Sequence, residues 1–139
     1  MTPEKMAKLH LNSEANHRIW DAREFAEILS SKGVFAESHE HGFAIARLID
    51  FEAELILLVT DKFHQNNGLA SNCLIKIEKK IVENGGKKLI LEVSESNKAA
   101  IKVYERLNYK KVSVRKLYSR NKKGKFENAL VMQKDLLPI

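Results

Sequence analysis

Two short and almost continuously apolar segments, residues 54–60 and 89–93, lie on either side of a stretch with helical periodicity. Runs of this length and composition are typical of strands buried on both faces of a sheet. Gly85 and Gly86 end the helical pattern. A helix that joins two buried strands predicts a parallel, right-handed βαβ unit. The apolar positions of that helix are Leu69, Cys73, Leu74, Ile77 and Ile81.

Two helices are predicted near the N-terminus. Pro3 suits a first helical position and begins a short helix that runs toward Leu11. Asp21 and Glu24 have the spacing of a capping box, which opens a second helix. We expect Gly33 to end this second helix. The apolar face of that helix carries Phe25, Ile28 and Leu29.

Further segments complete a mixed sheet. A hairpin precedes the central unit, and a helix capped by Asn97 follows it, before two closing strands that a basic loop joins. Strands on both sides of the central unit predict an α/β chain, one domain over residues 1–139, with helices on both faces of the sheet. The hairpin strands are residues 34–38 and 43–48, the closing strands residues 111–117 and 128–134, and the basic loop residues 118–125.

Length and composition narrow the class of protein. A chain of 139 residues suits one compact domain, and 44% hydrophobic with 30% charged residues is the balance of a soluble globular protein. No apolar run approaches the roughly 18 residues that span a bilayer. The polar N-terminus lacks the apolar segment of a signal peptide. We therefore expect a cytoplasmic protein without a membrane partner.

The cysteine and histidines point to no special chemistry by their spacing. Cys73 is the only cysteine, so no intrachain disulfide forms, and its place on an apolar helix face favours a small buried residue over a reactive thiol. The five histidines form no His-Glu-x-x-His pattern and no Cys/His pairing, and we predict no metal site. Phe35, Phe43 and Phe63 are expected in the core.

The net charge of +6 and the isoelectric point near 9.4 describe a basic surface. Such a surface favours polyanionic partners. Ribosomal RNA, other nucleic acids and the phosphates of a nucleotide cofactor all fit that description. Charge alone does not choose among them.

The loop before the central helix carries a phosphate-binding pattern. Gln65, Gly68 and Ala70 fit the motif Gln/Arg-x-x-Gly-x-Gly/Ala. The first amides of a helix lack intrahelical partners and lie at the positive end of its dipole, and Gly68 lets the backbone approach a pyrophosphate closely. The motif alone is equally compatible with an ordinary glycine turn. Its position between a strand and an amphipathic helix favours anion binding.

Longer motifs place this loop in a family context. Leu-Glu-Val at residues 91–93, followed by Ser-Asn-x-Ala-Ala-Ile-x-x-Tyr-Glu-x-Leu at residues 96–107, resembles the acetyl-CoA core of the GNAT superfamily. The same run is similar to the bacterial ribosomal-protein-alanine N-acetyltransferases in particular. The resemblance covers nearly the whole chain and is strongest over residues 54–109. It implies a GNAT fold in which two central parallel strands splay apart to bind acetyl-CoA.

The resemblance implies specific roles in acetyl transfer, which requires a base, oxyanion donors and an acid. Glu92 would take the proton of the acceptor amine, and burial in its strand is expected to raise its pKa. Tyr104 would protonate the departing thiolate. A solvent-facing strand-end Glu92 and a purely structural core Tyr104 are the alternatives. The implied cofactor-binding residues are Leu58, Val59, Thr60, Gln65, Asn66, Asn67, Gly68, Leu69, Ala70, Ser71 and Asn97.

The resemblance also implies which residues lie near the acceptor. Trp20 and Tyr118 are expected near the acceptor, with core packing of Trp20 and a solvated basic loop around Tyr118 as the alternatives.

The sequence departs from the family pattern at three asparagines. Asn66 and Asn67 stand where the family usually has Arg, Lys or Gln, so the phosphate loop is less basic. Asn108 replaces the usual glycine of a turn, and asparagine tolerates a positive φ.

The function implied by the resemblance is direct acetyl transfer from acetyl-CoA to a protein N-terminus, the N-terminal alanine of a small-subunit ribosomal protein. Two alternatives stay open: a GNAT enzyme that acetylates a small-molecule amine or a lysine side chain, and a non-catalytic module that binds CoA or RNA. Aromatic residues make up only 7% of the chain, which disfavours an RNA-stacking surface. We expect a monomer with no DNA partner.

Overall fold

The structure, a computed structural model, describes residues 1–13, 18–120 and 123–136. Within these ranges the chain forms four helices and six strands. The helices are α1 (Pro3–Leu11), α2 (Ala22–Leu29), α3 (Leu69–Glu83) and α4 (Lys98–Arg106). The strands are β1 (Val34–His39), β2 (Gly42–Ile49), β3 (Glu52–Thr60), β4 (Lys88–Ser94), β5 (Lys110–Arg120) and β6 (Phe126–Asp135).

The six strands form one mixed sheet in the order β1-β2-β3-β4-β6-β5. Neighbouring strands are antiparallel except for β3 and β4, which pair in parallel and are joined through α3. The predicted α/β architecture with a central parallel βαβ unit is therefore confirmed. In the residues that the structure describes, no helix has the length and apolar character needed to cross a membrane.

Helices cover both faces of the sheet, as predicted, and each face has its own core. On one face, α1 and α2 pack against β1, β2 and β3 around Phe25, Phe43 and Ile45, none of which is exposed. On the other face, α3 packs against β1, β2 and β3 through Leu74 and Ile77. The α4 helix joins this second core through its buried tyrosine.

A β-bulge at Ile56 changes the direction of the β3 side chains. Ile45 of β2 pairs with Leu57, whereas the next residue pairs with Leu55, so Ile56 is an extra residue in the ladder. As a result Leu55 packs in the α3 core, while Leu57 and Val59 pack in the α1/α2 core. Without the bulge, these odd-numbered residues would all face the same side.

The parallel pairing of β3 with β4 is short. It runs from Glu52 opposite Lys88 to Glu54 opposite Ile90, and ends there. Beyond this point β3 continues beside β2 to Thr60, while β4 continues beside β6. The two strands therefore diverge just before the bulge at Ile56, which is the splayed geometry that the family resemblance implied.

The helix ends follow the sequence signals, with one correction. The Asp21 carboxylate accepts a hydrogen bond from the Glu24 amide at 2.9 Å, and the Glu24 carboxylate accepts one from the Asp21 amide at 3.2 Å, which completes the capping box. The prediction that Gly33 ends α2 is wrong, because the helix ends at Leu29. Gly33 instead has a φ of +78° where the chain enters β1, and a Cβ there would lie 2.5 Å from the Leu48 carbonyl oxygen.

Three other predictions are corrected. The central strands are not buried on both faces: along β4, buried residues alternate with more exposed ones, because α1 and α2 cover β1 to β3 but not β4. Phe63 is 80% exposed rather than in the core. The closing strands are longer than predicted, so Tyr118 lies in β5 rather than in the basic loop. Residues 121–122 of that loop lie outside the described residues.

A buried polar network joins α3 to the closing strands. The Tyr109 hydroxyl donates a hydrogen bond to Glu78 Oε2 at 2.6 Å, and Lys134 Nζ donates to Glu78 Oε1 at 2.8 Å. Glu78 is only 9% exposed. A buried carboxylate depends on such donors, because an unpaired charge in the interior is costly.

We predict that Tyr109→Phe lowers the free energy of unfolding by about 1–3 kcal/mol, because it leaves one oxygen of the buried Glu78 carboxylate without its donor. Urea denaturation measures this change. The matched control is Tyr118→Phe, which removes the hydroxyl of an exposed tyrosine and should change stability by less than about 0.5 kcal/mol. Equal losses in the two variants would contradict the role of the network.

Candidate active site

A groove of about 1060 Å³ opens where β3 and β4 diverge. Its walls are the second half of β3, the loop from β3 to α3, the end of β4 and the inner side of α4. Every candidate residue predicted from the sequence lines this groove except Asn67, which is exposed beside it. The lining candidates are Trp20, Leu58, Val59, Thr60, Gln65, Asn66, Gly68, Leu69, Ala70, Ser71, Glu92, Asn97, Tyr104 and Tyr118.

The loop before α3 has the geometry of an anion cradle. Asn66 and Gly68 both adopt left-handed backbone conformations, with φ of +67° and +77°. Gly68 is the N-cap of α3 and has no side chain to cap the first amides of the helix, and the first turn contains no acidic residue. The open amides and the helix dipole are therefore available to phosphate oxygens in the groove.

Two polar side chains beside this loop differ in their partners. Gln65 Nε2 donates to the carbonyl oxygens of Ser13 at 3.0 Å and Thr60 at 3.1 Å, so its amide fastens the loop to β3 and to the end of α1. Thr60 Oγ1 is buried and, within the described part of the chain, has no hydrogen-bond partner. An unpaired buried hydroxyl in a groove fits a polar group of a bound cofactor.

Glu92 lies at the open face of β4, and the prediction that it is buried is wrong. Its side chain is 34% exposed, because neither α1 nor α2 covers β4. Arg115 Nη1 donates to Glu92 Oε1 at 2.7 Å. The Arg115 guanidinium also stacks on the Tyr118 ring, with Cζ 3.5 Å from the ring centroid. The pKa of Arg115 is raised chiefly by its hydrogen bond to Glu92.

Tyr104 belongs both to the core and to the groove. It is 6% exposed, packs in the α3 core with its ring centroid 5.9 Å from that of Tyr109, and lines the groove. Burial raises the pKa of the Tyr104 phenol above its ordinary value of 10.0. The hydroxyl therefore stays protonated at neutral pH, as a proton donor must.

Glu92 and Tyr104 reach the groove from opposite faces of the sheet. Alternate β4 residues such as Leu91 and Val93 pack in the α3/α4 core together with Tyr104, which leaves Glu92 on the other face. Both nevertheless line one groove, because the gap between β3 and β4 passes through the sheet. Two ligands that entered from opposite faces would meet in this gap.

Asn97 and Trp20 each have a structural role as well as a place in the groove. Asn97 Oδ1 accepts a hydrogen bond from the Ala100 amide at 3.3 Å and caps α4, a bond that uses only the oxygen of its side chain. The Trp20 ring lies 5.3 Å from the ring of Phe25, and its amide donates to His10 Nδ1 at 3.1 Å. Trp20 therefore packs against the core and also lines the groove, while its predicted place beside the acceptor stays a prediction.

The sequence interpretation missed several basic residues of the groove. Lys102 and Arg106 line it from α4, and Arg18 lines it from the α1/α2 side. The spacing of Lys102 and Arg106, four residues apart on one helix face, was the available signal. This positive charge offsets the low basicity of Asn66 and Asn67 in the loop. Cys73, by contrast, is 2% exposed, and burial raises its pKa to about 11, so it is unsuited to carry an acyl group.

Comparisons with known proteins agree with this geometry. A sequence model of the acetyltransferase (GNAT) family matches residues 7–109. The chain is similar to ribosomal protein bS18-alanine N-acetyltransferase of Escherichia coli strain K12, with 28% identity over 135 residues, which cover 94% of this chain and 90% of that protein.

Solved structures show the same fold. The crystal structure of the ribosomal-protein-S18-alanine N-acetyltransferase from Escherichia coli superposes with a TM-score of 0.79 and 26% identity, over 96% of this chain and 88% of that one. An aminoglycoside 6′-N-acetyltransferase complexed with coenzyme A superposes with a TM-score of 0.70 and 19% identity, over 85% and 81% of the two chains. The similarity to the aminoglycoside enzyme concerns the fold alone.

We predict that the free energy of unfolding falls as the pH rises above about 10, in part through Tyr104. The unfolded chain loses the phenol proton near pH 10, whereas the folded protein, in which the pKa is raised, retains it. Above pH 10 the folded state therefore binds more protons than the unfolded chain. The free energy of unfolding then falls by up to about 1.4 kcal/mol per pH unit for one tyrosine. Urea denaturation at pH 9 and pH 11 should show a smaller loss in Tyr104→Phe. Equal losses of stability in wild type and in Tyr104→Phe would contradict this role of Tyr104.

Proposed function

The chain belongs to the acetyltransferase (GNAT) family, and from this premise we propose that it acetylates the N-terminal alanine of a small-subunit ribosomal protein. As a family member with named N-acetyltransferase relatives, it is an acetyl-CoA-dependent N-acetyltransferase. The observation that supports the proposal best is the groove that passes through the sheet, which both Glu92 and Tyr104 line. Such an acceptor would place the enzyme in the cytoplasm.

The choice of acceptor rests on the relatives and on the open side of the groove. The Escherichia coli relative, similar over 94% of this chain, is named for alanine acetylation of ribosomal protein bS18. The β4 face beside Glu92 is left open by α1 and α2, and is bordered by Trp20 and Tyr118. An extended peptide N-terminus can enter there, while the donor occupies the α3/α4 face.

The chain's residues fit acetyl-CoA on the donor side. The open amides at the start of α3 would bind the pyrophosphate, with Lys102 and Arg106 supplying positive charge to the phosphates. The unpaired Thr60 hydroxyl and the β3 backbone beyond the bulge would bind the pantetheine arm. When bound, acetyl-CoA supplies the activated thioester. The β3 amides near Leu58 would stabilise the negative charge that develops on its carbonyl oxygen.

Glu92 is the proposed general base. Arg115 occupies only Oε1 of its carboxylate, so Oε2 is the oxygen we assign to the acceptor amine. The carboxylate would hold the incoming ammonium by charge and take one of its protons, which leaves a neutral amine that can attack the thioester carbon. The second proton that the nitrogen loses as it becomes an amide would pass to solvent. The C–N bond then forms as the C–S bond breaks, and direct transfer needs no enzyme-bound acyl group.

Tyr104 is the proposed general acid. Its hydroxyl would give a proton to the departing thiolate, and the phenolate would regain one from solvent afterwards. Burial makes this phenol a weaker acid than a free tyrosine. The same burial would also make the thiolate more basic, since low-polarity surroundings disfavour both anions, and the two effects oppose each other.

We predict that Glu92→Gln lowers kcat at least about 100-fold with acetyl-CoA and a short peptide that begins Ala-Arg, because the base is lost while the shape is kept. Release of the CoA thiol measures turnover. The dissociation constant for acetyl-CoA should stay within about twofold, because Glu92 faces the acceptor side. Glu83→Gln is the matched control, since Glu83 is exposed on α3 and lies outside the groove; its kcat should not change. An unchanged kcat in Glu92→Gln would remove the residue from the mechanism.

We further predict a specific order of acceptors. The Ala-Arg peptide should be turned over at least about tenfold faster, in kcat/KM, than the same peptide with a blocked N-terminus and a free lysine, or than a polyamine. The proposed reason is that an N-terminal amine brings its own peptide backbone into the opening beside Glu92, whereas a lysine ammonium or a polyamine presents only methylene groups next to the amine. Faster turnover of the polyamine, or of the lysine in the blocked peptide, would leave the acetyltransferase assignment in place and contradict the proposed acceptor.

A further inference from the structure

A cluster of two histidines and an aspartate lies where the β1–β2 turn meets the loop that follows β3. His41 is in the turn, Asp61 follows the last residue of β3, and His64 is three residues further on. The Asp61 amide donates to the His41 carbonyl oxygen at 2.9 Å, which ties the two segments together. The mechanism proposed above uses none of these three side chains.

The three side chains of this cluster lie close together. His64 Nδ1 lies 3.0 Å from both carboxylate oxygens of Asp61, and His41 Nδ1 lies 3.8 Å from Asp61 Oδ2. The two imidazole rings are stacked face to face, with centroids 3.4 Å apart and planes 6° from parallel. One ligand atom from each residue lies within 4.8 Å of the other two.

These distances suit a divalent transition-metal cation. Four-coordinate zinc binds nitrogen and oxygen ligands at about 2.0–2.2 Å, which places neighbouring ligand atoms about 3.4 Å apart. The nitrogen–oxygen separations of 3.0 and 3.8 Å lie on either side of that value. Because the nitrogen lone pairs lie in the ring planes and the two rings are stacked in parallel, one imidazole has to turn out of the stack before both histidines can bind the same cation. Two neutral imidazoles and one carboxylate would offer two nitrogen ligands, one oxygen ligand and a single negative charge, a ligand set that suits a divalent transition-metal cation.

We propose that His41, Asp61 and His64 bind one divalent cation of the zinc type, with a fourth position left to water. Asp61 is the best placed of the three, since its side chain is 15% exposed and its Oδ1 is already oriented by the Phe63 amide at 2.8 Å. Glu40 adds negative charge nearby, with Oε2 3.8 Å from His41 Nε2. Sequence spacing did not indicate a metal site, because the ligands come from two segments that only the fold brings together.

The position of the site gives the cation a structural consequence. His64 and Gln65 are neighbours in the loop before α3, and both line the groove. A cation bound by both His41 and His64 would fix the start of this loop against the β1–β2 turn. The open amides of α3 would then be held in place before the donor binds, which strengthens its binding by lowering the cost of ordering. This coupling rests on the proposed function of the groove, whereas cation binding itself does not.

Cation binding is tested with untagged protein, freed of metal by a chelator and titrated with Zn²⁺ in competition with a chromophoric chelator. We expect one Zn²⁺ per chain, and visible absorption bands of four-coordinate Co²⁺ when cobalt replaces zinc. His41→Gln, His64→Gln and Asp61→Asn should each weaken Zn²⁺ binding at least tenfold. The Asp61→Asn variant retains an oxygen for the Phe63 amide, so loss of binding in it reports the charge and not unfolding.

Glu40→Gln is the matched control, because it removes the same charge from the same region without removing a ligand. Its Zn²⁺ affinity should stay within about threefold of wild type. Absence of stoichiometric binding, or equal losses in Glu40→Gln and Asp61→Asn, would overturn the site. The coupling is tested separately: Zn²⁺ should lower the acetyl-CoA dissociation constant severalfold in wild type and leave that of His64→Gln unchanged. An equal constant with and without Zn²⁺ in wild type would overturn the coupling.

Discussion

Because β3 and β4 stop pairing after Glu54 and Ile90, the sheet consists of two halves joined by a short parallel seam. One half is β1-β2-β3 and the other is β4-β6-β5. The bulge at Ile56 bends β3 away at the same point and turns Leu57 toward the α1/α2 core. The groove, the two-sided approach to it and the position of Glu92 all follow from this divergence. A regular parallel ladder would fill the gap with hydrogen bonds and leave no room for a ligand.

Much of the fold and of the groove could be predicted from the sequence, because the informative signals are local. The capping box at Asp21, the cap at Asn97 and the periodic face of α3 each depend on residues three or four apart. The phosphate-loop pattern also lies within a few residues, and the left-handed conformations of Asn66 and Gly68 agree with it. Local signals of this kind do not depend on tertiary packing, so the sequence alone predicts the residues beside the loop.

Other features depend on what packs across the sheet, which local patterns do not encode. The apolar run around Glu92 predicted burial on both faces, but in the described part of the chain α1 and α2 pack on β1 to β3 and leave β4 uncovered. Arg115 lies 23 residues from Glu92 in sequence, and only the β5–β6–β4 register brings the two together. The same holds for His41 and His64. The aromatic side chain of Phe63 predicted a core position, yet Phe63 lies in an exposed loop, with Lys62 Nζ 5.1 Å from its ring centroid.

The outer strand β5 has a consequence for how copies of the chain meet in solution. It forms one edge of the sheet, and its residues from Lys110 to Tyr118 are exposed. Edge strands offer unpaired backbone groups to any strand of another molecule, which is a common start of aggregation. Here the edge carries Lys110, Lys111, Arg115 and Lys116, so two such edges would bring like charges together. The strand that contributes Tyr118 to the groove thus also carries the charge that disfavours strand-to-strand pairing between copies of the chain.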